Sequence, residues 1–255
     1  MLAAQRHRNI IERLEQNGSV KVSELSDWFQ VTEKTIREDL EKLEEKGLLR
    51  RIHGGAMLKP EGEDSILPLQ LPNSKHGQEK AAIAEHAIKL IEPDDIIALD
   101  AGSTMLEIAR RIKNIPLTVL TNDLLIIREL TLKDQIRLIV PGGSRHHNLL
   151  IGGAEQQWIS RLNVHKLFLS TTGIHPEYGL TIFTEELAKL KKVFIACSKV
   201  VYCAADHSKF DKGALITFAD LSEVDYFITD DGLEPAVARK YEEQAVKLLR
   251  APLLQ

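Results

Sequence analysis

Six short segments, DIIALD, LTVLT, IRLIV, KLFLS, VVYCAA and DYFIT, recur between residues 95 and 229 of this chain. Each is a nearly continuous run of Ile, Val, Leu and other apolar residues. That is the composition of a strand covered on both faces; a strand wet on one side alternates polar and apolar positions. Helical periodicity is expected around residues 77–91, 104–113, 122–131, 185–198 and 235–248. Strands and helices in alternation give a largely parallel α/β sheet. In such sheets ligands bind beyond the carboxyl ends of the strands. Here those ends read Asp100-Ala101-Gly102-Ser103-Thr104, Thr121-Asn122-Asp123, Pro141-Gly142-Gly143, Thr171-Thr172-Gly173 and Asp206-His207-Ser208-Lys209. A single Gly-Ser-Thr turn is more often structural than functional. Five polar ends acting together predict a pocket for a small polar ligand.

The first 58 residues follow a different pattern. Ile10, Ile11 and Leu14 have helical spacing, and Asn17-Gly18 stops that helix. Ser19 to Val22 is expected to be extended, with Ser23 capping a helix over ELSDWFQ. The next stretch is VTEKTIREDLEKLEEKGLLRRIHGG. Thr32 is its expected N-cap, Val31 and Ile36 form a hydrophobic staple, and Glu33 suits the positive end of the helix dipole. Ile36, Leu40 and Leu43 make one apolar stripe, which places Lys34, Glu38 and Glu41 on the opposite face and Arg37 to one side. Gly47 ends the helix, and Leu48 to Leu58 forms two strands around Gly54-Gly55. Three helices and a hairpin in this order describe a winged helix-turn-helix over residues 1–58. The stretch 59–76, KPEGEDSILPLQLPNSKH, reads as a linker, and residues 77–255 form the second domain.

A recognition helix presents its N-terminal residues to base edges in the major groove. Thr32, Lys34, Thr35 and Arg37 lie at that end. Arg50, Arg51 and His53 on the wing suit phosphates or the adjacent minor groove, and Gly54 and Gly55 allow the tight turn. The competing reading is a three-helix module with a solvated charged face, or a winged helix used for protein contacts. Total charge gives DNA no support. The chain carries 33 Lys/Arg against 37 Asp/Glu, a net charge of −4, and residues 1–58 hold ten of each. Any grip on DNA therefore depends on where the cations are placed.

The stretch VTEKTIREDLEKLEEKGLLRRIHGGA resembles the N-terminal signature of the DeoR family of bacterial transcriptional regulators. That signature runs Thr-Ile-Arg-Arg-Asp-Leu, then Leu-Glu and Gly, with a wing ending His-Gly-Gly-Ala. Thr35, Ile36, Arg37, Asp39, Leu40, Gly47, His53, Gly54, Gly55 and Ala56 match it. Glu38 departs from it, standing where the family has a second arginine. It either pairs with Lys34 or accepts from a cytosine amino group, and in both cases one phosphate contact is lost. LDAGSTMLEIARRI, VLTND, VPGG, GGAEQ and AADHSKF resemble the family's effector-sensing domain, so the resemblance covers nearly the whole chain. It implies a second domain like ribose-5-phosphate isomerase and CoA transferases in fold, sensing phosphorylated sugars or related metabolites. The residue chemistry agrees. Gly102-Ser103-Thr104 lies between a strand and a helix, where N–H groups and the dipole favour an anion. Lys209 offers a point charge for phosphate, and Gly142-Gly143 permits close backbone approach. Asp100 and Asn122 suit sugar hydroxyls, Thr121 joins them as an effector-binding candidate at its strand end, and Gly152 belongs to the GGAEQ motif. The family also places a glutamate after its Gly-Leu-Thr motif. In GLTIFTEELAKLKK that residue is Glu185 or Glu186, with Glu185 preferred.

The resulting expectation is a repressor, without enzymatic activity, that holds a double-stranded DNA operator and is released by a phosphorylated sugar or polyol. It works as a homo-oligomer, dimer or tetramer. An isomerase-like or acyl-transfer enzyme with an accessory winged helix is the alternative. No carboxylate pair or nucleophile-base pair supports it, and residues 206–209, being adjacent in sequence, do not assemble a triad. No cofactor or metal is expected; His146-His147 lacks further ligands at useful spacing. Cys197 and Cys203 read as buried reduced thiols, Trp28 and Trp158 as packing residues, and Ala245 to Leu249 as an amphipathic helix end. With no apolar run of membrane length and a charged N-terminus, a cytoplasmic protein without membrane contact is expected.

Overall fold

The computed structural model describes residues 6, 7, 9, 10, 13, 14, 18–45, 49–52, 54–58, 75–152 and 156–253. The chain divides into two compact units, Met1–Leu69 and Gln70–Gln255. The linker expected at 59–76 lies outside the described residues except for Lys75 and His76, which form a turn.

In the first unit the described residues between 6 and 14 are helical, and Gly18, at φ +73°, donates its N–H to the Leu14 carbonyl at 2.8 Å. Strand β1 (Ser19–Lys21) leads to helix α1 (Val22–Phe29). Ser23 does not cap that helix. Lys21 holds the N-cap position with no side-chain hydrogen bond, because β1 ends one residue early and Val22 already begins the first turn. Helix α2 (Glu33–Glu45) does start as its sequence predicts. The Thr32 hydroxyl oxygen accepts from the Thr35 N–H at 3.2 Å, and the Thr32 carbonyl accepts from the Ile36 N–H. Ile36, Leu40 and Leu43 are all buried, with Val31 packed against their cluster. Each such side chain contributes about 1.5–3 kcal/mol relative to exposure, which fixes the rotation of α2 about its axis. The expected stop at Gly47 lies outside the described residues. Strands β2 (Leu49–Ile52) and β3 (Gly55–Leu58) form the wing, with the antiparallel order β1-β3-β2. Trp28 is not a core residue. It is 48% exposed and covered by the Arg13 guanidinium, 3.6 Å from its ring centroid.

The second unit is built on a seven-stranded sheet. Its strands are β4 (Ile96–Leu99), β5 (Leu117–Leu120), β6 (Ile136–Ile139), β9 (Val164–Leu169), β12 (Ser198–Ala204), β14 (Tyr226–Asp230) and β15 (Leu248–Ala251). A hairpin, β7 (Ser144–His146) with β8 (Leu149–Ile151), and a small antiparallel sheet of β10 (Gly173–His175), β11 (Gly179–Ile182) and β13 (Ile216–Ala219) complete it. The large sheet has the order β15-β14-β12-β9-β4-β5-β6, and every pairing in it is parallel. All six sequence-predicted strands are present. The seventh replaces the helix end expected at Ala245 to Leu249. Helix α8 (Pro235–Glu242) stops early, Ala245 turns at φ +63°, and Leu248 pairs with Phe227 of β14. A short apolar run fits either period, and the open edge of β14 decides it.

The other helices are α3 (Gly77–Ile88), α4 (Ser103–Arg111), α5 (Leu124–Leu130), the short α6 (Gln156–Ile159) and α7 (Glu185–Ala196). From β4 the chain proceeds outward through β5 and β6, then returns beside β4 as β9 and proceeds the other way. The topological switch point therefore lies between β4 and β9. Leu167, Leu169, Phe194, Cys203 and Phe227 lie in the buried core. Both cysteines are free and buried, and burial pushes the Cys203 thiol up to about 12. No helix among the described residues is long and apolar enough to cross a membrane.

Candidate functional site

The groups expected to face DNA come from two elements. At the start of α2, Thr32, Lys34 and Arg37 are exposed and Thr35 is half-buried. Lys34 has no hydrogen bond or ion pair among the described residues, whereas Arg37 pairs with Glu33 one turn back at 2.6 Å. An exposed pair of this kind contributes only about 0.3–0.5 kcal/mol, so a phosphate can displace Glu33 at small cost. Glu38 is exposed as well. On the wing, Arg50 and Arg51 are exposed. Arg51 is drawn toward α2: its N–H donates to Glu44 at 2.8 Å, and its guanidinium lies 3.8 Å from Glu41. His53 lies outside the described residues.

The two wing glycines do different jobs. Gly54 makes the turn at φ +77°, and its carbonyl accepts from the Val22 N–H at 2.8 Å. Gly55 is already in β3, where a Cβ would meet the Val20 carbonyl oxygen at 2.0 Å. Gly55 is therefore required for packing β1 against β3, and the turn itself belongs to Gly54.

Beneath this surface lies a cluster that the sequence did not reveal. Asp39, 3% exposed, accepts from Arg6 Nε at 2.5 Å and Nη2 at 3.1 Å, and lies 2.8 Å from His7 Nε2. Burial works to raise the Asp39 carboxyl, but the hydrogen bonds from Arg6 and His7 outweigh it and hold its pKa below the usual range. Asp39 ties the first helical segment to the back of α2, so its place in the signature has a structural cause.

In the second unit the polar strand ends converge at the switch point. Asp100, at the end of β4, accepts from the Ser170 N–H at 2.9 Å and the Ser170 hydroxyl at 2.8 Å, and forms an ion pair with Lys191 of α7. Lys191 also donates to the Ser170 carbonyl at 3.0 Å. Both partners are 3% exposed. Asp100 was expected to meet ligand hydroxyls; its Oδ2 is instead occupied by this internal pair. Lys191 went unremarked in the sequence, although its spacing from the buried Ala188 and Phe194 places it on the inward stripe of α7.

Gly102 stands at φ +114° ahead of α4 and donates its N–H to Asp123 Oδ2 at 3.1 Å. Ser103 and Thr104 form the first turn of α4, half-buried and buried. Asp123 caps α5, accepting from Leu125 and Ile126. Burial pushes its pKa up, and the Gly102, Leu125 and Ile126 N–H groups offset this only in part. Thr121 is buried, and its hydroxyl oxygen accepts from the Asp123 N–H. Asn122 is 1% exposed and donates to the Leu150 carbonyl at 3.1 Å, while its Oδ1 has no partner. An unpaired buried acceptor costs about 1–3 kcal/mol.

The remaining expected residues lie elsewhere. Gly142 and Gly143 have positive φ, and a Cβ on Gly143 would meet the Ile151 backbone at 2.6 Å. Gly142 and Gly152 border a small space of about 10 Å³, together with Leu150, Ile151, Ile159 and Leu190. Gly143 packs backbone on backbone, whereas a Cβ on Gly142 would meet nothing within 4 Å. Glu185 and Glu186 are both exposed, and Glu185 pairs with Lys189 at 2.7 Å. Lys209 is half-buried beyond β12; its N–H donates to the Asp206 carbonyl at 3.0 Å, and its ammonium has no partner among the described residues. Trp158 is 38% exposed, so it too is not a core residue. A separate cavity of about 270 Å³, lined by Ile88, Lys89, Ile91, Arg111, Ile112, Lys113 and Ile115, precedes β4 and β5 and is remote from these strand ends. Among the described residues there is no group of three or more His, Cys, Asp or Glu that would hold a metal.

A capped helix with an exposed cationic first turn, beside a basic wing and joined to a parallel sheet with a polar switch point, defines a DNA-binding regulator with a sensor unit. Two family models match the chain: the DeoR-like helix-turn-helix domain over residues 6–61 and the DeoR C terminal sensor domain over residues 75–231. The chain belongs to the DeoR family of transcriptional regulators. It is 38% identical to the uncharacterized HTH-type transcriptional regulator YulB of Bacillus subtilis, over 99% of this chain and 98% of that one. It is 34% identical to the L-fucose operon activator of Haemophilus influenzae, over 92% and 94%. Ribose 5-phosphate isomerase A of Methanocaldococcus jannaschii aligns over 51% of this chain and 53% of that one, with a TM-score of 0.39 and 15% identity.

Proposed function

We propose that this protein is a cytoplasmic repressor of a carbohydrate-utilisation operon, released from its operator by a phosphorylated sugar or polyol. The observation that carries the reading is the exposed N-terminal end of α2, where Lys34 in the first turn and Arg37 one turn after Glu33 stand on a helix fixed by the Thr32 cap and the Ile36-Leu40-Leu43 stripe. Thr32, Lys34, Thr35 and Arg37 address base edges and flanking phosphates, and Arg50, Arg51, His53 and the Gly54 turn address the backbone. The winged helix occupies residues 1–58, a linker 59–76, and the sensing and oligomerising domain 77–255.

The effector lies over the ends of β4, β5 and β9. Its oxyanion meets the first turn of α4 at Ser103 and Thr104 and the Lys209 ammonium, and its hydroxyls meet Thr121 and the unpaired Asn122 Oδ1. The Asp100–Lys191 pair sets the shape of this crevice. An effector that favours the DNA-incompetent state by about 1–3 kcal/mol gives roughly 5- to 150-fold control. Two copies of the chain reading paired half-sites supply the affinity that one small domain lacks.

Activation is a second reading, favoured by the name of the Haemophilus influenzae relative. A thermal-shift screen against phosphorylated sugars and polyols, followed by gel-shift titration with each hit, tests both. A hit that raises the melting temperature and weakens operator binding supports repression; a hit that strengthens operator binding supports activation. An isomerisation assay on the same compounds tests the enzyme alternative, which requires turnover.

A further inference from the structure

Beyond β12, Asp206 caps the short turn His207–Lys209, accepting from the Ser208 N–H at 3.0 Å and from the Ser208 hydroxyl. The first residue of that turn is seated with unusual care. His207 Nδ1 lies 2.7 Å from Asp230 Oδ2, and the His207 N–H donates to Asp230 Oδ1 at 2.8 Å. Asp230, at the end of β14, is fully buried and also accepts from the Gly232 N–H at 2.9 Å. Held through both its backbone N–H and its ring by one buried carboxylate, the imidazole is fixed in orientation. Gly232 leaves the ring its room, since a Cβ there would lie 2.7 Å from Nδ1.

The free edge of this seat meets one other ring. His76 and His207 pack edge to face, with centroids 5.4 Å apart and planes at 88°. His76 immediately precedes α3 and stands at φ +59°, a left-handed conformation uncommon outside glycine. Such a conformation persists where its surroundings hold it. Its carbonyl accepts from the Lys80 N–H at 3.1 Å, and its Nδ1 lies 3.5 Å from Glu79. Behind His76 the chain leads back to the first unit.

We propose that His207 is a positioning residue coupling the anion-binding Lys209 to His76, the root of the segment that leads to the DNA-binding unit. The proposal rests on the reading of Lys209 as the phosphate cation. Lys209 and His207 belong to one capped turn, so an anion that draws in Lys209 moves the His207 ring against its Asp230 seat. His76 responds because its left-handed backbone and its ring contact stand at the same place. The two histidines are thereby placed to pass a shift from the effector side to the root of that segment.

Inorganic phosphate is the probe, with two measurements on the full chain: phosphate affinity by calorimetry, and hydrogen exchange at the Lys80 amide, which bonds to the His76 carbonyl. In the unmodified protein, phosphate changes Lys80 exchange by about fivefold or more, the lower end of measured couplings. H207Q and H76A bind phosphate within about twofold of the unmodified protein, an affinity ratio worth under 1 kcal/mol, and lose the exchange response. K209A loses both. A full exchange response in H207Q or H76A overturns the coupling and leaves Lys209 as the anion site. No phosphate binding in the unmodified protein overturns the Lys209 reading, and this inference with it. H76A removes a half-buried ring with no core hydrogen bond, so the test stands even where H207Q fails to fold.

Discussion

The two units of this chain use charge in opposite ways. In the first, Lys34, Arg37, Arg50 and Arg51 stand exposed, and the buried ionic groups among the described residues form one cluster at Asp39. In the second, Asp100, Asp123, Lys191, Asp206 and Asp230 are all buried at or near strand ends. Under the proposed function, the contrast follows from the size of the partner. A duplex is a long polyanion that meets a surface, so cations on an open helix face are enough. A small ligand must be enclosed, and its site is made of dipoles and charges that the fold has already oriented.

The contrast breaks most sharply if the buried pair of the second unit is dispensable. Lys191→Met leaves the Asp100 carboxylate buried without its counter-ion, and is expected to cost about 3–5 kcal/mol in urea denaturation of the second unit. A loss below 1 kcal/mol would mean that water reaches Asp100. Next in size is Asp39→Asn, which weakens the Arg6–His7–Asp39 cluster and is expected to destabilise the first unit by about 1–3 kcal/mol, leaving the second unit's transition in place. Arg37→Ala acts elsewhere. It is expected to lower operator affinity by about 1–3 kcal/mol while changing stability by less than about 0.5 kcal/mol, because its only partner among the described residues is Glu33 on the surface. Equal losses in both measurements would make Arg37 a structural residue.

The smallest effects come from pH. The Asp123 pKa is raised by folding, so its contribution is fully present below the unfolded value near 3.9 and is lost as pH rises through the folded value. Asn at position 123 keeps a cap but does not titrate. The stability advantage of the unmodified protein over Asp123→Asn should therefore shrink from pH 4 to pH 7; an advantage that grows would reverse the assignment. Asp39 has the opposite sign. Its contribution is held at neutral pH and lost in acid as pH falls through its lowered folded value.

What the sequence made legible divides along the same line. The helix-turn-helix was readable because its signals are local: a cap at Thr32, a stripe at Ile36, Leu40 and Leu43, and a turn at Gly54. The parallel sheet was readable because strands buried on both faces carry continuous apolar runs. The polar interior was not. Asp100 and Lys191 are 91 residues apart, and Arg6 and Asp39 are 33 apart, so no short pattern links either pair. Gly55 and Gly143 were read as making room for a turn and a ligand, whereas each makes room for another stretch of backbone, which one sequence window does not contain. The last strand was missed because LLRA becomes a strand only beside the free edge of β14.

The most direct test titrates the full chain against the genomic fragment it retains most strongly and against random DNA of equal length, from 50 to 200 mM salt, with and without the phosphorylated sugar that most raises its melting temperature. Tighter binding to the genomic fragment, a steep fall in affinity with salt, and a further loss when the sugar phosphate is added are expected. Equal binding to both fragments at low salt, or binding indifferent to salt, would contradict the proposed function.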